Sequence, residues 1–198
     1  MTPATLLPLA LFAVVATITP GGATTLATAS GARFGFRRSV PLIAGISVGL
    51  GALGAASALG LASLVLAVPT LALALRLGGS AYLLWLSVKI ATSGPPDTDT
   101  RMAAPIGVLG GAMLLWLNPK AWATALGAAA TFGDAASSPS ELALLLASVF
   151  VCAAAISLTL WSTAGFFLAK LLHTRREWTI VNTLLGILLA LSILQMWL

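Results

Sequence analysis

Stretches of 18 or more apolar and small residues recur along the whole chain with hardly a charge inside them. A chain of 198 residues has no soluble core large enough to hide that surface, so its solvent is lipid. The composition agrees, at 59% hydrophobic and 8% charged residues with a mean hydropathy of +1.05. Six hydrophobic segments can be drawn at about 4–30, 40–67, 69–92, 105–132, 141–169 and 178–197. They predict an all-α polytopic membrane protein with six transmembrane helices. The first segment carries no Lys or Arg ahead of its apolar run and is followed by more spans, so it reads as a retained helix and not a signal peptide.

The most polar interval, TSGPPDTDTR at 92–101, reads as a flexible connector. It divides a single transporter domain, 1–198, into halves of about 1–92 and 105–198 joined by the linker 93–104. Basic residues set the orientation. Arg33, Arg37 and Arg38 follow the first span, Lys89 and Arg101 follow the third, and Lys170, Arg175 and Arg176 follow the fifth. With six spans these fall on one face, expected to be the cytoplasmic face of an inner membrane, leaving both termini outside. Arg76 has to snorkel or face protein. The net charge of +5 is thereby used for orientation, and no nucleic-acid surface is implied.

Three spans per half place the start of the second half on the opposite side of the membrane, so similar halves would form an inverted repeat. The first span of each half is interrupted. ITPGGA at 18–23 and LNPKAW at 117–122 both set a small polar residue before a proline. A proline in a helix removes one backbone hydrogen bond and clashes with the preceding turn, and the freed groups need partners. Two such breaks in matching places are expected to face each other across a partly hydrated cavity near mid-bilayer, where half-helix ends can hold a small polar ligand. The plain alternative is a pair of kinks capped by Thr19 and Asn118.

The candidate substrate-binding residues are Thr19, Pro20, Gly21 and Gly22 at the first break and Asn118, Pro119 and Lys120 at the second, with Tyr82 on the cavity wall. The Lys120 ammonium would reinforce the positive end of its half-helix and hold a carboxylate, the alternative being an interfacial lysine. Trp85, Trp116 and Trp122 shape the wall or pack, and Trp178 and Trp197 read as interfacial belt residues. The ladders Gly45-x3-Gly49, Ser47-x3-Gly51 and Gly54-x3-Ala58 read as helix packing seams, and Asn182 as interhelical glue. Cys152 reads as a small apolar packing residue.

Several motifs also have a familiar order. ITPGGATTLATASGARFGFRRSVPLIAGISVG at 18–49, LRLGGSAYLLWLSVKI at 75–90, WLNPKAW at 116–122 and VNTLLGILLAL at 181–191 together resemble the LysE/RhtB family of amino-acid exporters. The NPKAW motif is the most specific of them. The resemblance implies a secondary transporter that exports amino acids or related small metabolites. Two departures stand out. This chain has Gly22 where the family usually continues TPG with proline, and Leu50 where many members carry an acid.

All five acidic residues, Asp97, Asp99, Asp134, Glu141 and Glu177, fall in loops or at span ends, so the core offers a cation no carboxylate and neutral amino acids are the expected substrates. An enzyme finds little support, since His173 lies in a basic loop and Cys152 has no nearby base. Metal ligands do not cluster and no cofactor is called for. The alternatives are an exporter of another small solute or cation, or a scaffold subunit. A small-molecule substrate and the bilayer are the expected partners, with a homodimer left open.

Overall fold

The computed structural model describes residues 3–60, 67–95 and 105–194. Asp97, Asp99, Arg101 and Trp197 lie outside the described residues, as do the side chains of Arg76 and Pro119. The described residues form α1 (Pro3–Ile18), α2 (Gly22–Phe34), α3 (Phe36–Ala58), α4 (Pro69–Ala91), α5 (Val108–Trp116), α6 (Pro119–Thr131), a 3-10 turn (Gly133–Ala135), α7 (Pro139–Leu171) and α8 (Arg175–Leu194), with no strand among them. The protein is an all-helical polytopic membrane protein. Its outward faces carry rows of large apolar side chains, such as Leu7, Leu11 and Val15 on α1, that water would penalise and lipid accepts. By length and composition α3, α7 and α8 can each cross a bilayer, and α1 with α2, bent by 58° at their break, can make a fourth span.

The helices begin and end where local chemistry dictates. Ser138 accepts from the Glu141 N–H at the start of α7, and at the start of α8 the Thr174 Oγ1 accepts from the Glu177 N–H while the Glu177 carboxylate accepts from the His173 and Thr174 N–H groups. The basic interval after the first span is not a loop. Arg33 lies in the last turn of α2 and Arg37 and Arg38 in the first turn of α3, with a single residue, Gly35, turning the chain between the two helices. Its φ of 79° lies in the left-handed region that a side chain disfavours. Buried Ser30 and Ser39 close the corner through a 2.8 Å hydroxyl contact.

The core sits around α3 and α7, whose Leu42, Ile46, Leu53, Leu146, Phe150 and Leu158 are fully buried. Between helices in lipid the attraction comes from close packing, and small residues supply it here. A Cβ on Gly45 would strike the Val108 carbonyl of α5, and one on Gly54 would stand 2.7 Å from Phe150 of α7, so two of the seams read from the sequence serve two different neighbours of α3. The tightest crossing joins α2 to α7, where a Cβ on Gly31 would meet the Ser162 carbonyl and one on Gly165 the Thr28 carbonyl. Outside this cluster α4 packs mainly on α8, with Gly186 against the backbone of Ser87. Asn182 Nδ2 donates to the Ser93 carbonyl at 2.7 Å, tying α8 to the end of α4.

Two expectations change in the folded chain. Trp178 is not an interfacial side chain but is 7% exposed, because α8 starts against α2 and α4 and turns the indole inward. Cys152 is not packed inside but stands exposed on α7.

Candidate functional site

The first break is closed by groups from elsewhere in the chain. Pro20 cannot donate, so α1 ends with the Thr19 N–H and hydroxyl both on the Val15 carbonyl. The Thr17 and Ile18 carbonyls are met from α7, where Ser157 Oγ donates to Thr17 O at 2.8 Å and Trp161 Nε1 donates to Ile18 O at 3.2 Å. Thr19 O faces Lys120 Nζ at 3.4 Å, a long contact that links the two breaks. On the far side Gly21 is extended, and Thr24 Oγ1 both accepts from its N–H at 2.8 Å and donates to its carbonyl at 2.9 Å.

The second break caps itself. Asn118 Oδ1 accepts from the Lys120 N–H at 3.0 Å and the Asn118 carbonyl from the Ala121 N–H at 2.9 Å, while Pro119 has no N–H to satisfy. The Trp122 indole donates back to the Trp116 carbonyl at 2.7 Å and packs edge-on against the Trp116 ring at 5.7 Å.

The breaks thus differ in one respect. Among the described residues nothing accepts from the first-turn N–H groups of Gly22, Ala23 and Thr24, whereas those of α6 are all partnered. The uncapped end of α2 carries the positive pole of its helix. Beside it stands the half-buried Lys120, whose Nζ lies 3.2 Å from the place a Cβ on Gly21 would occupy. The Asn118 Nδ2 lies 3.6 Å from the corresponding place on Gly22.

These groups enclose a cavity of about 50 Å³, with Thr19, Gly21, Gly22, Thr24, Asn118 and Lys120 on its polar side and Ile46, Leu50, Leu115 and Leu158 on its apolar side. Among the described residues no carboxylate lines it. The N–H groups of Gly22, Ala23 and Thr24, the Asn118 amide and the Lys120 ammonium around this one small space are all hydrogen-bond donors.

Of the residues singled out in the sequence, the structure brings Thr19, Gly21, Gly22, Asn118 and Lys120 to this cavity, with Pro20 and Pro119 in the flanking backbone. Thr19 and Asn118 both spend a hydrogen bond on their own helices. Tyr82 is elsewhere, in a second cavity of about 370 Å³ between α2, α4 and α8. Sequence reasoning missed Thr24, Ser157 and Trp161. Thr24 had a signal, a hydroxyl three residues after the extended glycine, whereas the other two had only an i, i+4 spacing common to any helix face.

A polytopic helical protein with two helix breaks meeting at a small cavity that is polar on one side has the architecture of a membrane translocator. The chain belongs to the LysE type translocator family, whose model matches residues 14–194. It is 34% identical over 133 residues to the cysteine/O-acetylserine efflux protein of Salmonella choleraesuis (strain SC-B67), covering 67% of each chain. It is likewise 34% identical over 120 residues to that of Escherichia coli (strain K12), covering 61% of each. No solved structure gives a significant match.

Proposed function

We propose that the protein is an inner-membrane secondary transporter that exports small neutral amino acids or closely related metabolites. The observation that carries the reading is the Lys120 ammonium standing beside the uncapped amino terminus of α2. Both are positive, and together they suit the carboxylate common to all amino acids. The substrate's ammonium faces backbone carbonyls at the breaks, and its side chain faces Ile46, Leu50, Leu115 and Leu158. A lysine or arginine substrate would bring a second cation into a cavity with no carboxylate among its described residues, at a desolvation penalty of several kcal/mol. The relatives named for cysteine and O-acetylserine efflux point to the same size and charge of substrate.

In this reading the chain is one transporter domain of six spans, with halves 1–92 and 105–198 related as an inverted repeat and joined by 93–104. The spans are α1 with α2, α3, α4, α5 with α6, α7 and α8. The basic ends of α2, α4 and α7 face the cytoplasm, and transport follows from rocking of the helices around the paired breaks. The cavity holds little more than water in this conformation, so the helices must part for a solute to enter. The test is uptake of labelled cysteine, O-acetylserine and lysine into everted vesicles. Uptake of the first two in excess of lysine is expected, and uptake confined to lysine would overturn the assignment of charge.

A further inference from the structure

The second cavity has features that the break site does not use. Leu26, Ala29 and Arg33 follow one another along a single stripe of α2, and Tyr82, Leu86 and Lys89 along one of α4, so each stripe runs from an apolar inner end to a cation at the outer end. Arg33 and Lys89 line the same space of about 370 Å³, and among the described residues no carboxylate lines it with them. Lys89 Nζ lies 4.8 Å over the Trp85 ring, a contact that holds the side chain without neutralising it. Two cations lining one space make it favourable to an anion.

The inner end of this cavity leads towards the breaks. Leu26 also lines a gap of about 10 Å³ that has Gly22 and Asn118 on its far side, and Leu83 of α4 stands in the same gap. Leu26 is 5% and Leu83 3% exposed, so an apolar plug separates the large cavity from the small one. Leu26 belongs to α2 and Leu83 to α4, and α4 is the helix held mainly by α8.

From this arrangement we infer that the cavity between α2 and α4 is an intake vestibule, in which Arg33 and Lys89 hold the carboxylate of the amino acid before it passes Leu26 and Leu83 to the break site. This rests on the exporter reading. The vestibule occupant is a free amino acid and not a lipid phosphate, because the cavity continues inward to the breaks, whereas a headgroup site needs only the rim.

The experiment uses purified full-length protein carrying Cys152→Ser and Ala29→Cys in phosphatidylcholine nanodiscs. Ala29 lines the vestibule and is only partly buried. A sulfonate-bearing methanethiosulfonate should modify it roughly tenfold faster than the trimethylammonium reagent. Arg33→Gln with Lys89→Gln should abolish that preference, with Arg37 and Arg38 still present to hold the orientation. Cysteine or O-acetylserine should slow the modification. Equal rates for the two reagents, or protection by phosphatidylglycerol but not by any amino acid, overturns the proposal. In everted vesicles the double variant should show a several-fold higher KM with its maximal rate retained, and an unchanged KM also overturns it. Absence of amino-acid uptake by the unaltered protein defeats the exporter reading itself, while the reagent preference separately decides whether the vestibule draws anions.

Discussion

Replacing Lys120 by methionine removes the ammonium and keeps an unbranched stem of similar length. Among the described residues the only hydrogen bond made by Nζ is the 3.4 Å contact to Thr19 O, so the loss to folding should be small. The loss to a bound carboxylate should not be. Two unit charges about 4 Å apart at an effective dielectric constant of about 20 attract by about 4 kcal/mol, and desolvation of the pair removes much of that. A charge-assisted hydrogen bond is worth about 2 kcal/mol net. At about 1.4 kcal/mol per factor of ten, Lys120→Met should weaken substrate binding roughly 30-fold. Lys120→Arg keeps the charge, but a planar guanidinium must fit a space of about 50 Å³, so its activity should lie between the two. The assay is the initial rate of neutral amino-acid uptake into everted vesicles over a range of concentrations, at matched protein levels. A Lys120→Met protein with unchanged concentration dependence would refute the reasoning.

Gly165→Ala should lower the melting temperature of the detergent-purified protein, by the equivalent of about 1–3 kcal/mol, because the new methyl meets the Thr28 carbonyl. Gly127→Ala, with nothing within 4 Å, should leave it unchanged or raise it. Ser157→Ala and Trp161→Phe each leave an α1 carbonyl without its donor and should cost about 1–2 kcal/mol, seen as faster hydrogen exchange in the last turn of α1. In a Cys152→Ser background, Arg37→Cys and Arg175→Cys should resist a thiol probe confined to the outside of intact cells. Labelling of either would reverse the proposed orientation.

Proline chemistry made both breaks legible in the sequence, since Pro20 and Pro119 interrupt apolar runs that otherwise invite unbroken helices. The seams at Gly45 and Gly54 were equally readable, although their separate partners were not, because a small residue says that something comes close without saying what. Tyr82 could not be placed. An aromatic in the third span reads alike on either side of its helix, and here that helix turns it to the larger cavity. Trp178 near a span end reads as interfacial, and only the packing of α8 against α2 and α4 buries it. The difference between the two breaks was hidden as well. Asn118 and Thr19 look like equivalent caps, yet only the first sits at the amino end of a half-helix and satisfies its amides.

The donors that close the first break arrive late. Ser157 and Trp161 lie 140 and 143 residues beyond the carbonyls they serve. At a synthesis rate of about 5–20 residues per second, the end of α1 waits roughly 7–28 s for its partners. Through that interval the Thr17 and Ile18 carbonyls need water or the insertion machinery, because lipid offers them nothing. The amino-terminal helices therefore cannot settle in bare lipid ahead of the rest, and a nascent chain arrested before Ser157 emerges should be cut by protease more readily than the finished protein. The order in which the helices are made is thus not the order in which they become stable.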